Sequence, residues 1–127
     1  MKVISIQEPY GSLILKGHKK IETRSWKTNY RGELYIHTSS KVFNNPIVDN
    51  AYKYIDKKEL IFGSIICKCK LVDCIEMTDD FIKTIDPKEL ELGVYEVGRY
   101  AWILEDIEAI NPIKTRGKLN IWEYKEG

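Results

Sequence analysis

Apolar and polar positions alternate with a period of two over several short stretches, the pattern of strands that bury one face. Val3 to Gln7 is the first such stretch. In the second, Lys20 to Trp26, regular alternation places Lys20, Glu22, Arg24 and Trp26 on one face. Glu33 to Thr38 sets Leu34 and Ile36 against Tyr35 and His37. Gly63 opens a long strand that runs through Ile75, with Ile65, Cys67, Cys69, Leu71 and Asp73 on one face and Lys68 and Lys70 on the other. Tyr100 to Ile107 and Leu119 to Tyr124 complete the set.

Between these stretches the spacing turns helical. Pro9 suits the first turn of a short helix whose apolar positions are Tyr10, Leu13 and Ile14, with Gly17 as its stop. Asn44-Asn45-Pro46 caps a second helix with the stripe Ile47, Val48, Ala51 and Ile55, ending in the charged segment Asp56 to Glu59. Thr78-Asp79-Asp80 and Asp86-Pro87 are two further helix starts, and Pro112 to Gly117 is a basic loop. Five or six strands with short inserted helices predict an α+β fold, a small mixed β-barrel. Strands and helices do not alternate regularly enough for a doubly wound parallel sheet.

Composition adds limits. A chain of 127 residues with 43% apolar content fits one domain, residues 1–127, around one core. No apolar run approaches the roughly 18 residues of a membrane span, and the opening Met1 to Ile6 lacks a signal-peptide core, so the expected location is cytoplasmic, away from membranes. Cys67, Cys69 and Cys74 crowd one strand, a poor arrangement for a disulfide and a natural one for reduced structural thiols. Carboxylates and histidines do not cluster at ligand spacing, so neither a metal nor another cofactor is expected. Net charge is +1, from 20 basic and 19 acidic residues. A general DNA-binding surface is therefore excluded, and any nucleic-acid site is a local patch or pocket.

The densest polar cluster lies between Gln7 and His37, centred on Gly17 to Trp26. An arginine holds phosphate or carboxylate in a bidentate fork, a glutamate accepts from a base edge, and an indole offers a stacking face. The plain alternative is a solvated strand face with a cross-strand ion pair.

The stretch Gly17-x-Lys19-x-x-Glu22-x-Arg24 resembles the signature motif of the ASCH family, within the PUA-like superfamily. Ile4 to Ile14 is similar to the family's opening, and Arg24-Ser25-Trp26, Tyr30-Arg31-Gly32 and Ile36-His37 follow in family order. The glycine-led strand ending Leu71-Val72-Asp73-Cys74 and the segments Pro112-Ile113-Lys114 and Ile121-Trp122 resemble its later parts. The resemblance implies a PUA-like barrel whose cleft floor carries Lys19, Glu22 and Arg24, and a partner that is RNA or a nucleoside or nucleotide. Some family members are amidohydrolases acting on N4-acetylcytidine, understood to use a lysine, a threonine three residues later and a distant glutamate. Others are described as ribonucleases or as modules of transcription coactivators.

Against that scheme Lys19 matches the lysine, but Glu22 stands where the threonine belongs. A shifted register offers Lys20 and Thr23 and misplaces Arg24. Glu76, Glu89 and Glu91 are all open as the distant carboxylate. Glu22 as a general base on water is another chemistry, with Lys19 and Glu22 as the catalytic candidates. Tyr10, Arg24 and Trp26 are the candidates for ligand contact around them. His37 is a candidate phosphate donor or general acid, its bland alternative a partly exposed side chain. Asp73 is a charge on an otherwise apolar face. It is expected either to pair with Lys19 or Arg24 beside the site or to be solvated where the strand bulges. Lys114 and Arg116 are candidates to touch a nucleic-acid backbone, or an ordinary wet loop. Three functions follow: a binding module for RNA or a modified nucleoside, a hydrolase on the same ligands, and a protein-interaction domain.

Overall fold

β1 (Lys2–Glu8) and β3 (Gly32–Val42) pair in parallel, from Val3 with Tyr35 to Ile6 with Thr38. A parallel pair cannot be joined by a tight hairpin, so the intervening chain must cross over. It does so as α1 (Tyr10–Leu15) and the short β2 (Ile21–Arg24), which is delivered to the far edge of the sheet. The computed structural model describes residues 1–126. Its six strands follow the order β2-β5-β4-β3-β1-β6, with β4 spanning Ser64–Glu76, β5 Tyr100–Lys114 and β6 Ile121–Glu123. Among the described residues only the β1–β3 pairing is parallel. The expected mixed α+β architecture is therefore the observed one.

The two ends of this sheet come close together. β6 covers β1 only from Lys2 to Ile4, which leaves Ser5 to Glu8 free on that side. Arg24, in the edge strand β2, donates from an NH2 nitrogen to the Ser5 carbonyl at 2.7 Å. The sheet is thus curled into a barrel-like shape with an unclosed seam between β1 and β2. The site is built in that seam.

The main core fills the inside of the curl. Ile4, Leu13, Ile14, Leu34, Ile36, Ile66 and Trp102 are all buried there. Each fully buried Leu or Ile contributes about 1.5–3 kcal/mol. Leu13 and Ile14 anchor α1, a helix too short to hold itself without packing. Val3, Ile65 and Trp122 form a smaller cluster near β6. Cys67 and Cys69 are free and buried, and burial pushes both thiols up to about 12, so they are packing groups.

The helix starts behave as their sequences predict. Thr78 accepts from Phe81 N at the head of α3 (Asp79–Lys83), and Asp86 accepts from Lys88 N at the head of α4 (Pro87–Glu91). The second helix, α2 (Val48–Ala51), is shorter than its stripe suggests, and Asp56 and Glu59 form a capping box on a following 3₁₀ turn. The part of the basic loop from Pro112 to Lys114 is instead the end of β5. Proline is tolerated there because β2 pairs only with Tyr100 to Ile103, so the missing N–H faces an open side.

Candidate functional site in the seam between β1 and β2

Gly17, at φ 80°, ends α1 and turns the chain sharply back. Lys19 N then donates to the Leu13 carbonyl at 3.2 Å, and the Lys19 side chain runs inward. It is only 1% exposed. Its Nζ donates to the Leu92 carbonyl at 2.5 Å, lies 3.9 Å from Glu22 Oε1 and sits 5.2 Å from the centre of the Tyr10 ring. Burial pulls its pKa below the usual lysine value, with Arg24 acting the same way and Glu22 and Glu89 opposing. The face-sharing lysine expected from simple alternation was Lys20. That residue is exposed, because the strand begins at Ile21 and the turn before it carries Lys19 inside.

Glu22 and Arg24 are two residues apart on β2 and so share a face. Glu22 is buried, and its Oε2 lies 3.0 Å from Arg24 Nε. This is a charge contact without the alignment of a hydrogen bond, since Arg24 Nε has no hydrogen-bond partner. Lysine, glutamate and guanidinium therefore converge in one row, with Lys19 and Glu22 buried and Arg24 half-buried.

The cleft above this row has a volume of about 260 Å³. Tyr10, Trp26, Phe43 and the segment Leu92 to Val94 form its walls, with Gln7 at the rim. Trp26 stands edge-on to Trp102, ring centres 4.8 Å apart, and Trp102 Nε1 donates to its carbonyl at 3.4 Å. The Tyr10 hydroxyl is buried without a partner. Burial, with the Glu22 charge behind it, pushes this phenol up to about 12, so it stays protonated as a donor. Gly93 lets the wall approach closely, since a Cβ there would meet Thr23 Cγ2 at 3.0 Å and the Tyr95 ring at 3.1 Å. Thr23 Oγ1 accepts from Val94 N at 3.1 Å and ties that wall to β2.

The model of the ASCH domain matches residues 4–116 of this chain. The chain belongs to the ASCH family. Over 79 residues it is 29% identical to Activating signal cointegrator 1 of Homo sapiens, and equally to that of Mus musculus. That stretch is 60% of this chain but 14% of either cointegrator, so the chain spans a small part of the curated relatives it matches. Among solved structures, ASCH from Zymomonas mobilis superposes with a TM-score of 0.59 at 17% identity, covering 89% of this chain and 72% of that one. A single-residue variant of the same protein gives a TM-score of 0.54 at 16% identity, covering 89% of this chain and 74% of the other. These similarities show the ASCH fold, consistent with a PUA-like barrel.

Of the candidates in the ASCH motif and its flanks, Tyr10, Lys19, Glu22, Arg24 and Trp26 all line the one cleft. His37, Lys114 and Arg116 do not. They line a neighbouring pocket of about 760 Å³, which touches the first through Ser5 and Arg24. His37 is 1% exposed, where the alternation placed it on the wetter face with Tyr35. It keeps that face, since β1 and β3 stay in register from Val3–Tyr35 to Ile6–Thr38, and it is buried there by Ser5, Trp122 and the loop at Thr115 to Gly117. Its Nδ1 lies 3.0 Å from Ser5 Oγ and its Nε2 2.7 Å from the Thr115 carbonyl. Since a carbonyl only accepts, Nε2 carries the proton and Nδ1 accepts from Ser5. Both nitrogens are engaged, so the expected role as phosphate donor or general acid gives way to holding the loop.

Asp73 is corrected more fully. It is exposed, 3.5 Å from the Arg31 guanidinium, and lines neither pocket. A register shift in β4 between Leu71 and Asp73 rotates it off the apolar face, so it is the bulge alternative that holds.

Among the three candidate distant carboxylates, Glu89 is the one beside Lys19. Its Oε1 accepts from Lys20 N at 2.6 Å, and its Oε2 is buried without a partner. Burial raises its pKa, with the Lys20 amide and Lys19 opposing. Glu91 is engaged by Lys53 and Tyr54, and Glu76 by Tyr100. Sequence reasoning missed Ser5, Lys118 and the Leu92–Val94 wall. Their only signal was proximity in sequence to a named element, which does not reveal a contact across the sheet.

Proposed function

We propose that the seam cleft binds a single base, as a nucleoside or as one residue of an RNA chain. The Lys19–Glu22–Arg24 row, its first two members buried, beneath the walls of Tyr10 and Trp26 carries this reading. A buried mixed-charge row is costly unless its hydrogen-bonding capacity is used, and a base edge offers donors and acceptors in one plane. Glu22 accepts from an exocyclic amine, the Tyr10 hydroxyl donates to a ring carbonyl, and Trp26 lies alongside. Size supports one base: about 260 Å³ is near the lower limit for small-molecule sites. Net charge near neutrality also favours a pocket over a surface. Calorimetric titration with the four ribonucleosides and N4-acetylcytidine tests it. One of them binds saturably to the native protein and with reduced preference over the others to Glu22→Gln. No heat with any of the five would end the reading.

One observation favours a second reading, hydrolysis of an acylated base. The Lys19 side chain lines the cleft, and burial pulls its pKa down against the opposing pull of Glu22 and Glu89, the direction that favours a general base. A water molecule would give its proton to this base and attack the amide carbonyl. The Tyr10 hydroxyl would donate to the developing oxyanion, and the C–N bond would break with the proton going to the leaving amine. Incubation with N4-acetylcytidine and chromatography decides. Cytidine and acetate appearing with the native protein but not with Lys19→Met supports catalysis, and unchanged substrate leaves a binding module.

A further inference from the structure

The second pocket carries an unusual imbalance of charge. Arg24, Lys114, Arg116 and Lys118 line it, and no carboxylate does. Arg24 is answered by Glu22, but Lys114, Arg116 and Lys118 form no salt bridge among the described residues. On a chain of net charge +1 this is a local concentration of cations, and it opposes folding by self-repulsion unless an anion answers it.

The pocket is also built to stay in place. Its loop backbone is fastened by His37 on the Thr115 carbonyl and by Thr115 N on the Gly63 carbonyl at 3.0 Å. Gly117 packs directly on the fastening: a Cβ there would meet Ser5 Oγ at 2.6 Å and the His37 ring at 2.9 Å. The cationic side chains are exposed while the backbone under them is tied down. Leu119, 89% exposed, adds apolar surface beside them.

We infer that this basic pocket is the phosphate half of one continuous ligand site, so that the ligand class is a phosphorylated nucleoside, free or within an RNA strand, and not a bare nucleoside. The inference rests on the base-binding reading of the neighbouring cleft. The two pockets meet at Ser5 and Arg24, so a base held above Glu22 has its sugar at the seam and its phosphate among the cations. A volume of about 760 Å³ exceeds a single phosphate and leaves room for the next nucleotide of a strand.

The test is calorimetry with the ribonucleosides, their 5′- and 3′-monophosphates, short single-stranded RNA, inorganic phosphate and a tetraglutamate peptide. The proteins are native and a triple variant, Lys114→Ala, Arg116→Ala and Lys118→Ala, with circular dichroism as the check of fold. In the native protein one monophosphate binds about tenfold or more tighter than its nucleoside, as charge-assisted contacts require. The triple variant loses that gain and keeps the nucleoside affinity. Affinity for RNA falls as salt rises from about 50 to 200 mM, with a slope of about 0.7 per phosphate engaged. RNA bound far tighter than any mononucleotide marks a strand as the source, and equal affinity marks a free nucleotide. Nucleosides and monophosphates binding equally would overturn the inference and leave the base cleft standing. Phosphate binding with no nucleoside binding would overturn the base cleft instead. No binding by any probe sinks both, and tetraglutamate binding as well as RNA would assign the pocket to acidic peptides.

Discussion

The two pockets that meet at Arg24 handle charge in opposite ways. In the seam cleft the charges are buried or half-buried and answer one another: Lys19 and Arg24 face Glu22, with Glu89 close by. In the basic pocket Lys114, Arg116 and Lys118 are exposed and form no salt bridge among the described residues. Buried, compensated groups are expensive to misplace and so fix geometry and selectivity. Exposed, uncompensated ones are screened by salt and supply attraction with little discrimination. One small fold thus separates reading from anchoring. The side chain at the boundary, Arg24, also closes the barrel-like sheet by its bond to Ser5.

The contrast can be broken most forcefully at Lys19. Lys19→Met leaves Glu22 and Glu89 in a buried setting without their cation, at an expected cost of about 3–5 kcal/mol in urea unfolding. A cost below about 1 kcal/mol would mean that the cleft charges are not mutually dependent. Next in size is Glu22→Gln, which keeps the shape but loses the carboxylate. Discrimination among nucleosides falls by about 1–3 kcal/mol, roughly fivefold to 150-fold in relative affinity, while monophosphates keep their advantage over nucleosides. If discrimination persists, the base is read elsewhere.

Gly117→Ala acts on the other pocket. Its new methyl has no space against His37, which is pinned on both nitrogens, so the loop must lift. The phosphate-dependent gain disappears, nucleoside affinity holds, and stability changes by about 1 kcal/mol. The smallest effect is on pH dependence. Burial keeps the His37 imidazole below its ordinary 6.5, with the Thr115 carbonyl opposing, and Arg24, Lys114 and Arg116 line the same pocket. As pH falls below that range the unfolded chain takes up this proton before the folded one, so stability declines. Glu8 and Glu89, whose pKa values are raised by burial, contribute in the opposite direction, since their folded forms bind protons first. The difference between native protein and His37→Gln, in urea midpoints near neutrality and at mild acidity, isolates the histidine. The native protein loses more stability on acidification, and parallel losses would assign the slope to other groups.

Alternation and helix punctuation were enough to place most of this fold. The caps at Thr78 and Asp86, the stripe of α1 and the long β4 are local features, and each depends on neighbours in sequence. Failures occurred where the sheet broke its own period. Extra residues in β4, at Ile66 and before Asp73, moved Ile65 off the face of Cys67 and Asp73 off the apolar face, and a period-two reading has no term for an extra residue. The seam cleft was legible because its floor is one contiguous motif whose members share a turn and a strand. The basic pocket was not, because β1, β3 and the segment after β5 meet there only once the sheet has curled. Lys114 and Arg116 were visible as cations, but their convergence on Ser5 and Arg24 was not.

The central claim is that the Lys19–Glu22–Arg24 row receives a base, and a crystal structure grown with the tightest-binding nucleoside tests it most directly. The account predicts the base edge within about 2.7–3.2 Å of the Glu22 carboxylate, beside Trp26 and under the Tyr10 hydroxyl. Ordered ligand density elsewhere on the protein, with the seam cleft closed or filled only by water, would contradict it.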